Sequence, residues 1–128
     1  MVNEMNVRIA VPVEDENGLN ARLSQHFGRA PYFAVVELDE NGKVLNVKTE
    51  PNEGKQSGRM GKPPGIILNL KPNAVITYGM GFRALNIFQG ANVAVLQTSK
   101  DYVKEVIEAY NRNELVELTE GCHDAKHR

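Results

Sequence analysis

Ser24-Gln25-His26-Phe27-Gly28-Arg29-Ala30-Pro31 places an imidazole, a glycine and a guanidinium close together, directly ahead of the apolar run Tyr32 to Leu38. A neutral imidazole ligates transition metals through a ring nitrogen, and a guanidinium offsets anionic charge, so the segment has the chemistry of a small-ligand site. Ser24 and neighbouring backbone N–H groups can donate hydrogen bonds to the same ligand. The bland role open to His26 is to hydrogen-bond its own loop. A second group follows at Gly79-Met80-Gly81-Phe82-Arg83. Its glycines permit close backbone approach, a following helix offers N–H groups to an anion, and Arg83 adds a full charge. The same glycines can instead serve only to turn a strand onto a helix. A third set, Cys122, His123 and His127 with Asp124, offers soft ligands to zinc or iron, although the spacing matches no closed zinc site and a fourth strong ligand is missing. Its alternative is a polar tail with an incidental thiol. Gly58-Arg59-Met60-Gly61-Lys62 brings two cations without the Gly-Lys-Ser/Thr pattern of a phosphate loop, so a nucleoside triphosphatase has no foothold.

The elements that must position these groups are read from apolar periodicity. Val7 to Val13 is a first strand ended by Glu14-Asp15-Glu16-Asn17-Gly18, and Tyr32 to Leu38 is a second, covered on both faces. Asp39-Glu40-Asn41-Gly42 then supplies a hairpin, with Lys43 to Thr49 returning as an edge strand. Pro51 to Gly65 has no period and reads as a loop. Ile66, Ile67 and Leu70 mark a short helix opened by Pro63-Pro64 and closed by Lys71-Pro72-Asn73. Ala74 to Tyr78 is a buried strand. A helix carrying Phe82, Leu85 and Phe88 follows, expected to end with Gly90 in the left-handed conformation. Val93 to Leu96 is the next strand, and Thr98 with Asp101 resembles a capping box ahead of a last helix carrying Val103, Val106, Ile107 and Tyr110. Leu115 to Leu118 is expected to lie extended along the body, and 121–128 to form a mobile tail beyond a single domain over 1–120. A hairpin followed by alternating helices and strands requires a mixed sheet with helices on both faces. In such sheets ligands collect beyond the carboxyl ends of parallel strands, where the His26 and Met80 loops leave.

Arg8-Ile9-Ala10-Val11-Pro12-Val13, His26-Phe27-Gly28-Arg29-Ala30-Pro31 and Gly79-Met80-Gly81-Phe82-Arg83-Ala84-Leu85 together resemble the dinitrogenase iron-molybdenum cofactor family, over about Val7 to Tyr110. The chain departs from the family's usual pattern at Met80, where a glycine is commoner, and near Phe82, where a proline often stands. The resemblance implies an α/β, three-layer α/β/α, ribonuclease-H-like fold, with a five-stranded mixed sheet, a central first strand and one antiparallel strand. It implies a carrier or chaperone of the iron-molybdenum cofactor or an iron-sulfur cluster, serving metallocluster donor and acceptor proteins. His26 would ligate the metal, Arg29 would offset cluster charge, Ser24 would hydrogen-bond sulfur, and Gly79, Met80, Gly81 and Arg83 would complete the pocket. Met80 could shield the cluster or contact metal weakly. Cys122, His123 and His127 would act as auxiliary metal ligands.

Composition narrows the field. The 128 residues are long enough to bury one core, and 15 Lys+Arg against 16 Asp+Glu give a net charge of -1. No overall field draws the chain to nucleic acid or an anionic membrane, so neither is an expected partner. A single cysteine, Cys122, suits a reducing compartment, and Met1 to Asn6 has no signal-peptide pattern, so a cytoplasmic monomer or weak homo-oligomer is expected. The first strand carries no acidic residue with which to begin a two-metal nuclease centre, and no oriented acid accompanies Ser24 and His26. No catalytic turnover is expected. Two further readings stay open: a regulatory domain binding phosphate or a nucleotide at the same loops, and a structural interaction domain with an exposed edge at Lys43 to Thr49.

Overall fold

The computed structural model describes residues 6–52 and 63–119. Six strands form one sheet: β1 (Val7–Val13), β2 (Tyr32–Leu38), β3 (Val44–Pro51), β4 (Ala74–Thr77), β5 (Ala94–Gln97) and β6 (Val116–Glu117). Their order is β3-β2-β1-β4-β5-β6. β1 runs antiparallel to β2, from Val7 opposite Leu38 to Val13 opposite Tyr32, and parallel to β4. β2 and β3 pair antiparallel, β4 and β5 parallel. β1 therefore lies inside the sheet, as the family resemblance implies, and β3 at its edge, as its mixed pattern with lysines predicts. The expected five strands with one antiparallel are corrected to six with two, β2 and β6, because Val116 and Glu117 pair antiparallel with Gln97 and Leu96. Two residues are too few to leave a period in sequence.

Alternation along β1 divides the interior. Ile9, Val11 and Val13 join Ala34, Val36 and Ile76 beneath Val103, Val106 and Ile107 of α3 (Val103–Asn111). Ala10 faces the other way, with Phe33, Val75 and Val95, against Ile67 of α1 (Pro63–Asn69) and Leu85 and Phe88 of α2 (Phe82–Gly90). Helices thus cover both faces. Phe33 and Phe88 are fully buried, each stabilising the fold by roughly 1.5–3 kcal/mol through apolar transfer. Among the described residues no helix is long and apolar enough to cross a membrane.

The β2–β3 hairpin forms where Asp39-Glu40-Asn41-Gly42 predicts it. Asp39 Oδ1 accepts from the N–H groups of Asn41 and Lys43, and Gly42 takes φ +85°. A side chain there would meet Asn111, whose amide donates to the Gly42 carbonyl at 2.9 Å.

Three local expectations are corrected. α2 ends at Gly90, but the left-handed residue that closes it is Asn92 at φ 64°, whose N–H donates to the Gln89 carbonyl while that of Val93 reaches Phe88. That is a Schellman closure, and a short polar asparagine tolerates the left-handed region that glycine was expected to fill. Thr98 does not cap α3; its hydroxyl accepts from the Lys100 N–H, and Tyr102 occupies the cap position without a side-chain capping bond. Phe82, grouped with Leu85 and Phe88, is half exposed because it stands at the first position of α2.

Candidate functional site

β1, β3, β4 and β5 all point their carboxyl ends to one edge of the sheet. The loop leaving β1 crosses that edge. Ala21 and Leu23 are buried in the core under α3, whereas Phe27 and Ala30 are buried in the opposite core, so residues 24–26 form the crossing. Its near side is fastened like a short strand: Val13 bridges Leu23, and the N–H groups of Leu23 and Val103 donate to the carbonyls of Asp101 and Ala21. The N–H of Ser24 donates to Pro12 at 2.9 Å. On the far side Phe27 is wedged between Phe33 and Phe88, with ring centroids 5.9 and 5.7 Å away.

Ser24, 2% exposed, supports the crossing from below. Its hydroxyl donates to the His26 carbonyl at 3.2 Å and faces the His26 N–H at 3.3 Å, so both of its roles are engaged by the turn. His26 is exposed in extended conformation at the start of a 3-10 turn over Phe27–Arg29, and Arg29 is exposed at its end. The imidazole makes no capping bond there. Gly28 has open space around its missing side chain.

Asn52 is a residue the sequence does not reveal, since it lies in the run Pro51 to Gly65 that reads as a loop. It is 2% exposed, and its Nδ2 donates to the carbonyls of Ala30 at 2.8 Å and Gly28 at 3.4 Å. Nothing in the run Thr49-Glu50-Pro51-Asn52 advertises that role, since the partner carbonyls lie more than twenty residues back along the chain.

The loop after β4 has a different construction. Thr77 donates its hydroxyl to the Gly79 carbonyl at 3.2 Å, and Met80 is buried in the same core cluster as Phe27, Phe33 and Phe88. Its thioether is thus a packing group. Gly81 precedes α2 at φ −69° and ψ 162°, and a Cβ built on it meets nothing within 4 Å. Neither backbone nor packing demands glycine there. Arg83 is exposed one residue into α2.

Both loops therefore leave adjacent parallel strands at one edge and contribute, through Phe27 and Met80, to one core cluster. Among the described residues no group of three His, Cys, Asp or Glu side chains converges to hold a metal ion. His26 is the imidazole in this region, without further side-chain ligands of that kind. Cys122, His123 and His127, the tail over 121–128, and Gly58 to Lys62 lie outside the described residues. A cavity of about 320 Å³ opens elsewhere, between Gln97–Lys100 and Glu114–Val116, and contains none of the candidate ligands.

A single mixed sheet with helices on both faces, and an exposed histidine–arginine turn at its carboxyl edge, defines a domain of the α/β class. The chain belongs to the dinitrogenase iron-molybdenum cofactor family, whose model matches residues 5–113. It is 29% identical over 111 residues to the uncharacterized protein MJ0580 of Methanocaldococcus jannaschii, covering 85% of this chain and 89% of that one. The crystal structure of PH0822 is similar at 31% identity and a TM-score of 0.69, over 87% of this chain and 94% of the other. The solution structure of TM1290 from Thermotoga, described as a candidate NifB protein, matches at 27% identity and a TM-score of 0.68, over 88% and 94%.

Proposed function

We propose that this chain binds a metal–sulfur cluster of the iron-molybdenum cofactor or iron-sulfur type and passes it between donor and acceptor proteins, without catalytic turnover. The observation that carries this reading is the His26–Arg29 turn, exposed at the carboxyl end of β1 while its underside is secured by Ser24 and Phe27, in a member of this family. The cluster is cargo. One imidazole ligand with one or two nearby guanidinium groups holds an anionic cluster by a single coordinate bond plus electrostatics, an arrangement that releases more readily than a closed cage. Arg29 and Arg83 supply the charge, and the start of α2 after Gly79-Met80-Gly81 supplies positive partial charge. Cys122, His123 and His127 serve as auxiliary metal capture. The ribonuclease-H-like assignment of the sheet belongs to the same proposal, supported by the interior β1 with β2 antiparallel beside it. The protein acts in the cytoplasm as a monomer or weak homo-oligomer.

Anaerobic reconstitution with ferrous iron and sulfide tests this reading. Wild type should gain a visible charge-transfer band, and His26→Ala should lose most of it at unchanged unfolding midpoint. Equal loading of the two proteins would reject the ligand role. A phosphate- or nucleotide-binding domain would instead show saturable phosphate binding lost in Arg83→Ala, with no cluster uptake. Magnesium- or manganese-dependent cleavage of RNA that persists through repurification would overturn the non-enzymatic part.

A further inference from the structure

We propose that Asn52 is the positioning residue of this site, the carboxamide that holds the His26–Arg29 turn in its binding conformation; the inference rests on the carrier reading above. Asn52 follows β3, whose last residue, Pro51, pairs with Tyr32 at the start of β2. Three of its bonds converge on the segment carrying Arg29: Nδ2 donates to Gly28 and Ala30, and the backbone N–H donates to Pro31 at 3.0 Å. The two side-chain bonds bracket Arg29, whose own N–H donates to the His26 carbonyl at 3.2 Å. Histidine and arginine are thereby fixed relative to each other and to a strand other than the one they leave.

The choice of residue carries the argument. Asn52 Oδ1 is buried and has no hydrogen-bond partner among the described residues. Leaving an acceptor unpaired in the interior destabilises a fold, and an apolar residue of similar size would escape that cost. It would also leave the Gly28 and Ala30 carbonyls without the donor that joins them. Aspartate is nearly isosteric but, when ionised, turns an acceptor toward two acceptors; burial and those carbonyls would raise its pKa, so that it bridges only while protonated.

Asn52→Asp and Asn52→Ala, compared with wild type by 15N relaxation and by anaerobic iron–sulfide loading from about pH 6 to about pH 9, test the inference. In Asn52→Asp the Gly28 and Arg29 amides should be ordered at the acid end and mobile at the alkaline end. Its loading relative to wild type at each pH should fall several-fold over the same range. Asn52→Ala should be mobile and poorly loaded throughout. Native order of Gly28 and Arg29 in both variants at about pH 9 would overturn the clamp, and wild-type loading despite a mobile turn would overturn its role in binding. If wild type itself takes up no cluster, the carrier reading fails separately, and the relaxation data still decide whether Asn52 holds the turn. Should Asn52→Asp fail to fold at alkaline pH, Asn52→Ala at neutral pH gives the same decision.

Discussion

The loops after β1 and β4 leave neighbouring strands at the same edge, yet they divide support and display in opposite ways. In the β1 loop the buried residues, Ser24, Phe27 and Ala30, alternate with exposed ones, so a rigid underside carries His26 and Arg29 outward. In the β4 loop the central residue, Met80, points inward, and what reaches solvent is glycine backbone and the first turn of α2. The first loop is built to present side chains and the second to leave room beside them. A site assembled from both would take its specificity from His26 and Arg29 and its shape from Gly81.

The largest effects should come from the two buried anchors. Phe27→Ala removes a ring packed against both Phe33 and Phe88 and should cost about 3–5 kcal/mol, and Met80→Ala about 2–5 kcal/mol. Urea unfolding monitored by circular dichroism measures both. If Met80 contacts cluster instead of core, its truncation will lower loading and leave the unfolding midpoint in place.

Exposed residues should reverse that pattern. His26→Ala should change stability by less than about 0.5 kcal/mol while removing most cluster. Arg29→Ala should weaken cluster binding several-fold at low salt and progressively less as salt screens an exposed charge. The salt dependence of iron–sulfide loading checks this, and a deficit constant with salt would give Arg29 a structural part instead. Gly81→Ala should cost no more than about 1 kcal/mol: alanine is a poorer N-cap than glycine, but the backbone is already extended and the space open. A large fall in loading on adding that one methyl group would mark Gly81 as the place where ligand approaches backbone.

What could be read from sequence follows from how local each cause is. Strand alternation, the Asp39–Gly42 hairpin and the apolar face of α3 are short-range patterns that appear where the residues predict them, and that of α2 does so at Leu85 and Phe88 but not at Phe82. The helix endings at Asn92 and Asn113 have a local cause, because asparagine tolerates positive φ, but it is a weaker helix-stop signal than glycine or proline. The direction of Met80 could not be read, since a methionine between two glycines has no period to assign it inward. The candidate site was visible only as residue types: imidazole and guanidinium in a loop before a strand. Its support was invisible, because Asn52 reaches Gly28 and Ala30 only after β2 and β3 have paired.

The smallest expected effect concerns the residue that ties the β4 loop to the opposite core. Tyr78 immediately precedes Gly79, and its hydroxyl donates to Asp101 Oδ1 at 3.0 Å, ahead of α3. Burial, and after it the hydrogen bond and charge of Asp101, push its pKa up from 10.0 to about 12. A phenol with a raised pKa keeps its proton in the folded state after the unfolded chain has lost it. Its contribution to stability is therefore complete below pH 10.0 and disappears as pH rises toward about 12. The side chain is partly solvated, so the slope should be shallow. Wild type should lose stability across that interval by an amount that Tyr78→Phe does not, after subtracting the alkaline loss common to both. Because Phe82 and Gly81 lie beyond this tether, cluster loading at neutral pH should be unaffected by the substitution. Parallel alkaline curves for the two proteins would show that Asp101 does not hold the phenol, and a loading defect at neutral pH would show that the β4 loop depends on its tether as strongly as the β1 loop depends on its own.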